Sequence, residues 1–199
     1  MNELRPILLV LTAVAALSVA YPARANLITN GGFEDGNFNG WSTSTNQSGT
    51  ASVTGIFNGI SPHSGSDQAV FGGLSAAATA TQIITTTPGA SYTIDFFLAL
   101  TRGPFGGDPT LGVTFGGVTI YSNVFSLGFG YTEFSFNVTA SSASSDLEFL
   151  FDGGHLNPTD FYLDDVSVNP AGVPDAGSTV SLLGFASLGL VALRRKLGC

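Results

Sequence analysis

Short runs of alternating or β-branched residues recur between residues 26 and 169, and turn-forming residues cut each run off. The clearest is Ser91–Leu100, where Tyr92, Ile94, Phe96, Leu98 and Leu100 fall on every second position. A period of two places such residues on one face of a strand and leaves the other face to polar groups. The same reading predicts strands at Ala51–Phe57, Gln68–Phe71, Thr79–Thr86, Leu111–Phe115, Val118–Tyr121, Thr132–Val138, Leu147–Phe151 and Phe161–Val168. Pro88-Gly89, Gly116-Gly117 and Asp152-Gly153-Gly154 are among the turns between them. The Ala-rich stretch Ser75–Ala80 runs on into Thr81, Ile83, Ile84 and Thr85, which favours strand over helix. Nine short strands with turn chemistry between them predict one all-β sandwich domain. Along Phe161–Val168 the alternation puts Tyr162, Asp164, Val166 and Val168 on one face. If that face is the core, Asp164 is a carboxylate pointing inward, which is costly unless it is paired.

The two ends of the chain break this pattern. Arg5 precedes an apolar run from Ile7 to Ala20, and Ala23-Arg24-Ala25 offers a small-x-small cleavage site. That layout predicts a secretory signal peptide over residues 1–25 and a mature chain starting at Asn26, with a retained anchor as the alternative. At the other end Val173-Pro174-Asp175-Ala176-Gly177 leads into an apolar run, Val180–Leu193, and then into the basic stop Arg194-Arg195-Lys196. The run is shorter than the roughly 20 residues of an ordinary spanning helix. Ser178, Thr179 and the stem of Arg194 extend its reach by snorkelling. The basic stop places the C-terminus in the cytoplasm. A buried C-terminal helix of the globular domain is the competing reading.

This tripartite tail resembles the VPDSG variant of the PEP-CTERM sorting signal. The match lies at Val173, Pro174, Asp175 and Gly177, with Ala176 where the pattern has Ser. The resemblance implies an exported bacterial protein, held in the inner membrane by residues 180–193 and handled there by an exosortase-type membrane protease. It implies a final location in the envelope, on the surface or outside the cell. Residues 170–179 then form the linker and sorting motif, and 194–199 the basic cytoplasmic end.

Charge sharpens the picture once these segments are set apart. Residues 26–173 carry twelve acids against the single base Arg102, a net charge of −11. A surface so acidic repels phosphate backbones, which excludes nucleic acid as a partner. The only cysteine, Cys199, lies in the tail, so the exported domain folds without disulfides.

Three segments carry a second resemblance. The mature chain opens Asn26-Leu27-Ile28-Thr29-Asn30-Gly31-Gly32-Phe33-Glu34, followed by Gly40-Trp41, and closes Phe161-Tyr162-Leu163-Asp164-Asp165-Val166-Ser167-Val168. Between them Ser61-Pro62-His63-Ser64-Gly65-Ser66 leads into Gln68–Phe71. Together these resemble the galactose-binding-like jelly roll, the fold of many carbohydrate-binding modules, over essentially all of residues 26–169. The resemblance implies a structural Ca²⁺ joining the first and last strands, with Glu34 and Asp164 as ligands and a backbone carbonyl at Ser64-Gly65. Calcium takes six to eight oxygens of these kinds. The alternative is that Asp164 accepts backbone hydrogen bonds from the N-terminal segment while Glu34 is solvated.

Other chemistry is weaker. His63 and His155 have no cysteine to complete a zinc set, and no nucleophile-elbow motif is present. The pairs Glu34-Asp35 and Asp164-Asp165 fall inside the fold motifs, so the chain reads as no enzyme. Tyr121 and Tyr131 are the candidate glycan contacts, with Phe125, Phe129 and Phe105 nearby in sequence. The sole tryptophan, Trp41, belongs to the opening motif and reads as packing. The sequence therefore points to an exported structural or adhesive protein of the envelope or matrix, associated with extracellular polysaccharide. A carbohydrate-binding module is the alternative, and a glycoside-acting enzyme a distant third. If the tail is a sorting signal, mass spectrometry of envelope or secreted material will detect no peptide from Val180 onward. An intact tail at the final location would leave a permanent anchor instead.

Overall fold

The period-two runs become ten strands in the computed structural model, which describes residues 26–46, 48–74, 77–104, 107–154 and 158–171. They are β1 (Ser42–Thr45), β2 (Thr50–Thr54), β3 (Gln68–Leu74), β4 (Ala77–Thr85) and β5 (Ser91–Arg102). Then follow β6 (Thr110–Phe115), β7 (Val118–Val124), β8 (Phe129–Thr139), β9 (Ser144–Asp152) and β10 (Pro158–Pro170). All pair antiparallel, in two five-stranded sheets ordered β1-β4-β9-β6-β7 and β2-β3-β10-β5-β8. The predicted all-β sandwich is the observed fold. The signal peptide, the sorting motif Val173, Pro174, Asp175 and Gly177, the apolar run and the basic stop Arg194, Arg195 and Lys196 lie outside the described residues, as do Phe105 and His155. Among the described residues no helix is long and apolar enough to cross a membrane.

Phenylalanine fills the space between the sheets. Phe96 of β5 and Phe149 of β9 meet edge to face at 5.0 Å, and Phe71 of β3 stacks on Phe151 of β9 at 4.3 Å. Ile94, Leu98, Leu111, Val113 and Leu147 complete this layer, all fully buried. Rings in such offset and T-shaped contacts add to the burial of apolar area, the main stabilising term in a domain without disulfides.

Two sequence expectations are corrected here. β1 was not predicted, because Ser-Thr-Ser-Thr is exposed throughout and offers no hydrophobic alternation. It is recruited by pairing with β4, where Ser44 and Thr79 share a hydroxyl hydrogen bond of 2.8 Å. More consequential is β10. Asp164 stands opposite Phe97 of β5, yet Ser167 stands opposite Asp95, so Asp165 and Val166 together face Phe96 alone. This is a β-bulge, with Asp165 in the left-handed region at φ 49°. The extra residue shifts the alternation by one. Phe161, Leu163, Val166 and Val168 all enter the main core, while Tyr162 lies in a small second cluster with Val70 and Ala99. The predicted shared face of Tyr162, Asp164, Val166 and Val168 does not form, and Asp164 turns away from the core.

Trp41 closes one end of the sandwich. Its ring lies 5.7 Å from that of Phe33 and 6.2 Å from that of Phe149, and its Nε1 donates to the Asn30 carbonyl at 3.2 Å. Truncating a buried ring of this size costs about 3–5 kcal/mol. Trp41→Ala will therefore shift the urea midpoint far down or prevent folding. An unchanged midpoint would mean that the ring contributes nothing to the core.

Candidate functional site

The carboxylates of the opening and closing motifs converge on the loop before β3. Asp164, which is 0% exposed, accepts through Oδ2 from the His63 N–H at 2.9 Å and the Ser64 N–H at 3.2 Å. Its Oδ1 accepts from the Asp165 N–H at 2.8 Å. Asp165 takes the side chains of the same two residues. Ser64 Oγ donates to its Oδ1 at 2.7 Å, and His63 Nδ1 lies 2.6 Å from its Oδ2. Glu34 grips the loop one turn further on, accepting from the Ser66 N–H at 2.9 Å and the Asp67 N–H at 3.0 Å. Gly65, at φ +61°, passes so close that a Cβ there would overlap the Glu34 carboxylate. The glycine is required both for its backbone conformation and for that approach.

Glu34, Ser64 and Asp164 are thus brought together. The N–H donors to Asp164 come from the loop and from Asp165, not from the N-terminal segment, and Glu34 is bonded as well as solvated. The sequence reading missed His63 and Asp165 as partners. Only the Asp-Asp doublet hinted at a second acceptor, and nothing in the spacing tied either to residue 63. The His63 ring also stacks on Phe97 at 3.6 Å and meets Tyr131 edge-on at 5.4 Å. Tyr131 is occupied here, its hydroxyl donating to Gln68 Oε1 at 2.5 Å. Burial, and then the charges of Asp164 and Asp165, push its phenol well above the usual range.

Burial also raises the Asp164 carboxyl from its ordinary 3.8 to about 6, against the lowering effect of its N–H partners. Among the described residues, no three His, Cys, Asp or Glu side chains are grouped to hold a metal ion. A calcium ion would therefore need backbone carbonyls beside Glu34 and Asp164. That all-oxygen donor set is the one it prefers, in a cluster that contains no lysine or arginine.

A second feature lies on the opposite side of the sandwich. The outer face of the β1-β4-β9-β6-β7 sheet forms an open groove of about 620 Å³. Thr79, Thr114, Thr119 and Ser122 line it with hydroxyls, and Asp152 adds a carboxylate. Leu150, 38% exposed, is its apolar floor. Gly112 keeps the middle open, since even a Cβ there would touch Leu150 at 3.6 Å. Among the described residues the one aromatic in the lining, Phe151, is buried in the core. Tyr121 is not in the groove. It sits at the sandwich seam, 5.4 Å from Phe134 and 5.5 Å from Phe136, with its pKa raised chiefly by burial. From sequence the groove was invisible, because its hydroxyls read as ordinary solvated strand positions until the sheet order sets β4, β9 and β6 side by side.

Residues 172–197 match the VPDSG-CTERM motif, so the chain carries that sorting motif at its C-terminal end. No curated protein matches the chain. Among solved structures it is similar to the carbohydrate-binding module TmCBM61 in complex with β-1,4-galactotriose. The TM-score is 0.54 at 16% identity, over 73% of this chain and 99% of that one. It is also similar to the CBM22-1 xylan-binding domain from Paenibacillus barcinonensis Xyn10C, with TM-score 0.50 and 15% identity over 77% and 99% of the two chains. A third likeness is to the enzymatically active domain of bacteriophage CBA120 tailspike protein 4. There the TM-score is 0.54 at 14% identity, over 73% of this chain but 21% of that one. At such identities the likeness establishes the jelly-roll fold, which hosts many functions.

The raised Asp164 carboxyl sets a pH dependence. The folded state holds this proton more tightly than the unfolded one, so the stabilisation is complete below 3.8 and lost as pH rises through about 6. In chelator, the urea midpoint will fall across that window, and Asp164→Asn will remove that part of the slope. A midpoint that rises across the window, or a slope unchanged in the variant, would contradict the buried, proton-favouring site.

Proposed function

We propose that this is an exported, non-enzymatic protein of the cell envelope or extracellular matrix, sorted by an exosortase-type protease, whose sandwich adheres to extracellular polysaccharide. The observation that carries the binding reading is the groove: open, lined with hydroxyls around an apolar floor, and placed on the sheet face away from the carboxylate clasp. The sorting motif supports export, and the jelly-roll fold is compatible with sugar recognition.

The disposition of the acids supports a binding role over a catalytic one. Glu34 and Asp164 are committed to loop N–H groups. On the groove side, Asp152 is the one acid lining the groove among the described residues. The nearest outward acid on β9, Glu148, is four residues away, about 13 Å at strand rise. Glycosidase carboxylate pairs stand roughly 5–10 Å apart. Calcium belongs to the same proposal as a structural ion, held by Glu34 and Asp164 with the Ser64 carbonyl. It would supply positive charge to the clasp, lower the Asp164 pKa and flatten the pH dependence described above.

The test uses the mature protein and the polysaccharide of the producing cells. Gly112→Trp fills the groove without touching the core or the clasp. It is expected to weaken binding in a pull-down at least about tenfold, ~1.4 kcal/mol, with the melting temperature unchanged. Full binding by this variant would move the site elsewhere. Absence of binding by the parent protein would leave a purely structural role.

A further inference from the structure

Resting on the groove as the binding site, its chemistry narrows the ligand. Neutral sugars are commonly held by stacking on exposed aromatic rings, and among the described residues no exposed ring lines this groove. Tyr121 and Tyr131, the candidates by sequence, are spent at the seam and beneath His63. What remains around the apolar floor of Leu150 is hydroxyls and a carboxylate. β9 is the central strand of the sheet, and its outward positions carry Asp146, Glu148, Leu150 and Asp152. The flanking outward positions are Thr79, Thr81 and Ile83 on β4, and Thr110, Gly112 and Thr114 on β6.

None of these neighbours is basic. Glu148 receives only a marginal hydrogen bond, from Thr81 Oγ1 at 3.5 Å, and Asp152 one from the Gly154 N–H at 2.9 Å. The single arginine of the described residues, Arg102, is already paired with Asp108 and the Ser126 carbonyl. A row of carboxylates therefore runs along the outward face of β9 without a basic neighbour, with Asp152 in the groove lining and Glu148 just outside it, opposite the lining residue Thr114. Such a row attracts cations and repels anions, most strongly at low salt.

We propose that the groove selects glycans bearing free amino groups, that is, polymers with unacetylated amino-sugar units, and rejects uronate or sulfate polymers. Ammonium groups spaced along the chain meet Glu148 and Asp152, while ring hydroxyls bond the flanking threonines.

The test measures binding of the mature protein to glucosamine oligomers, to the same oligomers N-acetylated, and to polygalacturonate, in mildly acidic low-salt buffer. The glucosamine oligomer is expected to bind at least about tenfold tighter than its acetylated form, a gap of ~1.4 kcal/mol. Polygalacturonate is expected not to bind. The double variant Glu148→Gln, Asp152→Asn will close the gap, and added salt will narrow it. Gly112→Trp keeps every charge but fills the groove, so undiminished glucosamine binding by it would mean general surface attraction and overturn the proposal. Equal or tighter binding of the acetylated oligomer, blocked by Gly112→Trp, would overturn the charge selectivity while leaving the groove as a sugar site. No binding of any oligomer would overturn the selectivity, and the groove as a sugar site falls only if the cells' own polysaccharide also fails to bind.

Discussion

Asp165 and Val166 stand together opposite Phe96, and this one extra residue in β10 fixes the relation between the two ends of the domain. Before it, Phe161 and Leu163 face the core; after it, Val166 and Val168 do. The bulge thereby keeps Asp165 out of the core beside the outward Asp164, and the two take hold of the loop at His63 and Ser64. The strand beyond the bulge also receives the opening segment. Leu27 N–H donates to the Val168 carbonyl at 2.9 Å, Val166 N–H to the Gly31 carbonyl at 2.9 Å, and Asn26 Oδ1 accepts from Val168 N–H at 2.9 Å. First segment, middle loop and last strand are thus joined around one irregularity. In a domain without disulfides, these hydrogen bonds, several of them part-buried, hold contacts that are distant in sequence.

The clasp and the groove lie on opposite outer faces of the sandwich. Fold maintenance and surface chemistry are consequently separable: the outward residues of β4, β6 and β9 can vary without disturbing the bulge, and the bulge can be held without reference to any ligand. The absence of exposed rings in the groove has the same origin as the strength of the core. Phe71, Phe96, Phe149, Phe151 and Phe161 are all turned inward by the alternation, leaving hydroxyls and acids outside.

Much of this was legible in the sequence because period-two alternation is a strong signal wherever one face is buried. β9 follows it residue by residue, and β5 does so from Ser91 to Leu98. It failed where the alternation carries no hydrophobic contrast, as in β1, and where one residue is inserted, as at Asp165. A bulge is invisible to a periodic reading, since Asp-Asp-Val-Ser-Val is compatible with either phase. The motif resemblance brought Glu34, Ser64 and Asp164 to one place. The partners His63 and Asp165 emerged only from the geometry of the loop, and the groove only from the order of the strands.

Amide hydrogen exchange of the mature protein tests the central role of the clasp most directly. The N–H groups of His63, Ser64, Ser66 and Asp67 belong to a surface loop, where exchange is ordinarily fast, yet each is bonded to Asp164 or Glu34. If the clasp ties the domain together, these four amides will exchange as slowly as those of Phe96 and Leu98 in β5. Asp164→Ala will then release His63, Ser64 and also Val166 and Val168 together. Exchange of the four loop amides at surface-loop rates in the parent protein would contradict the account.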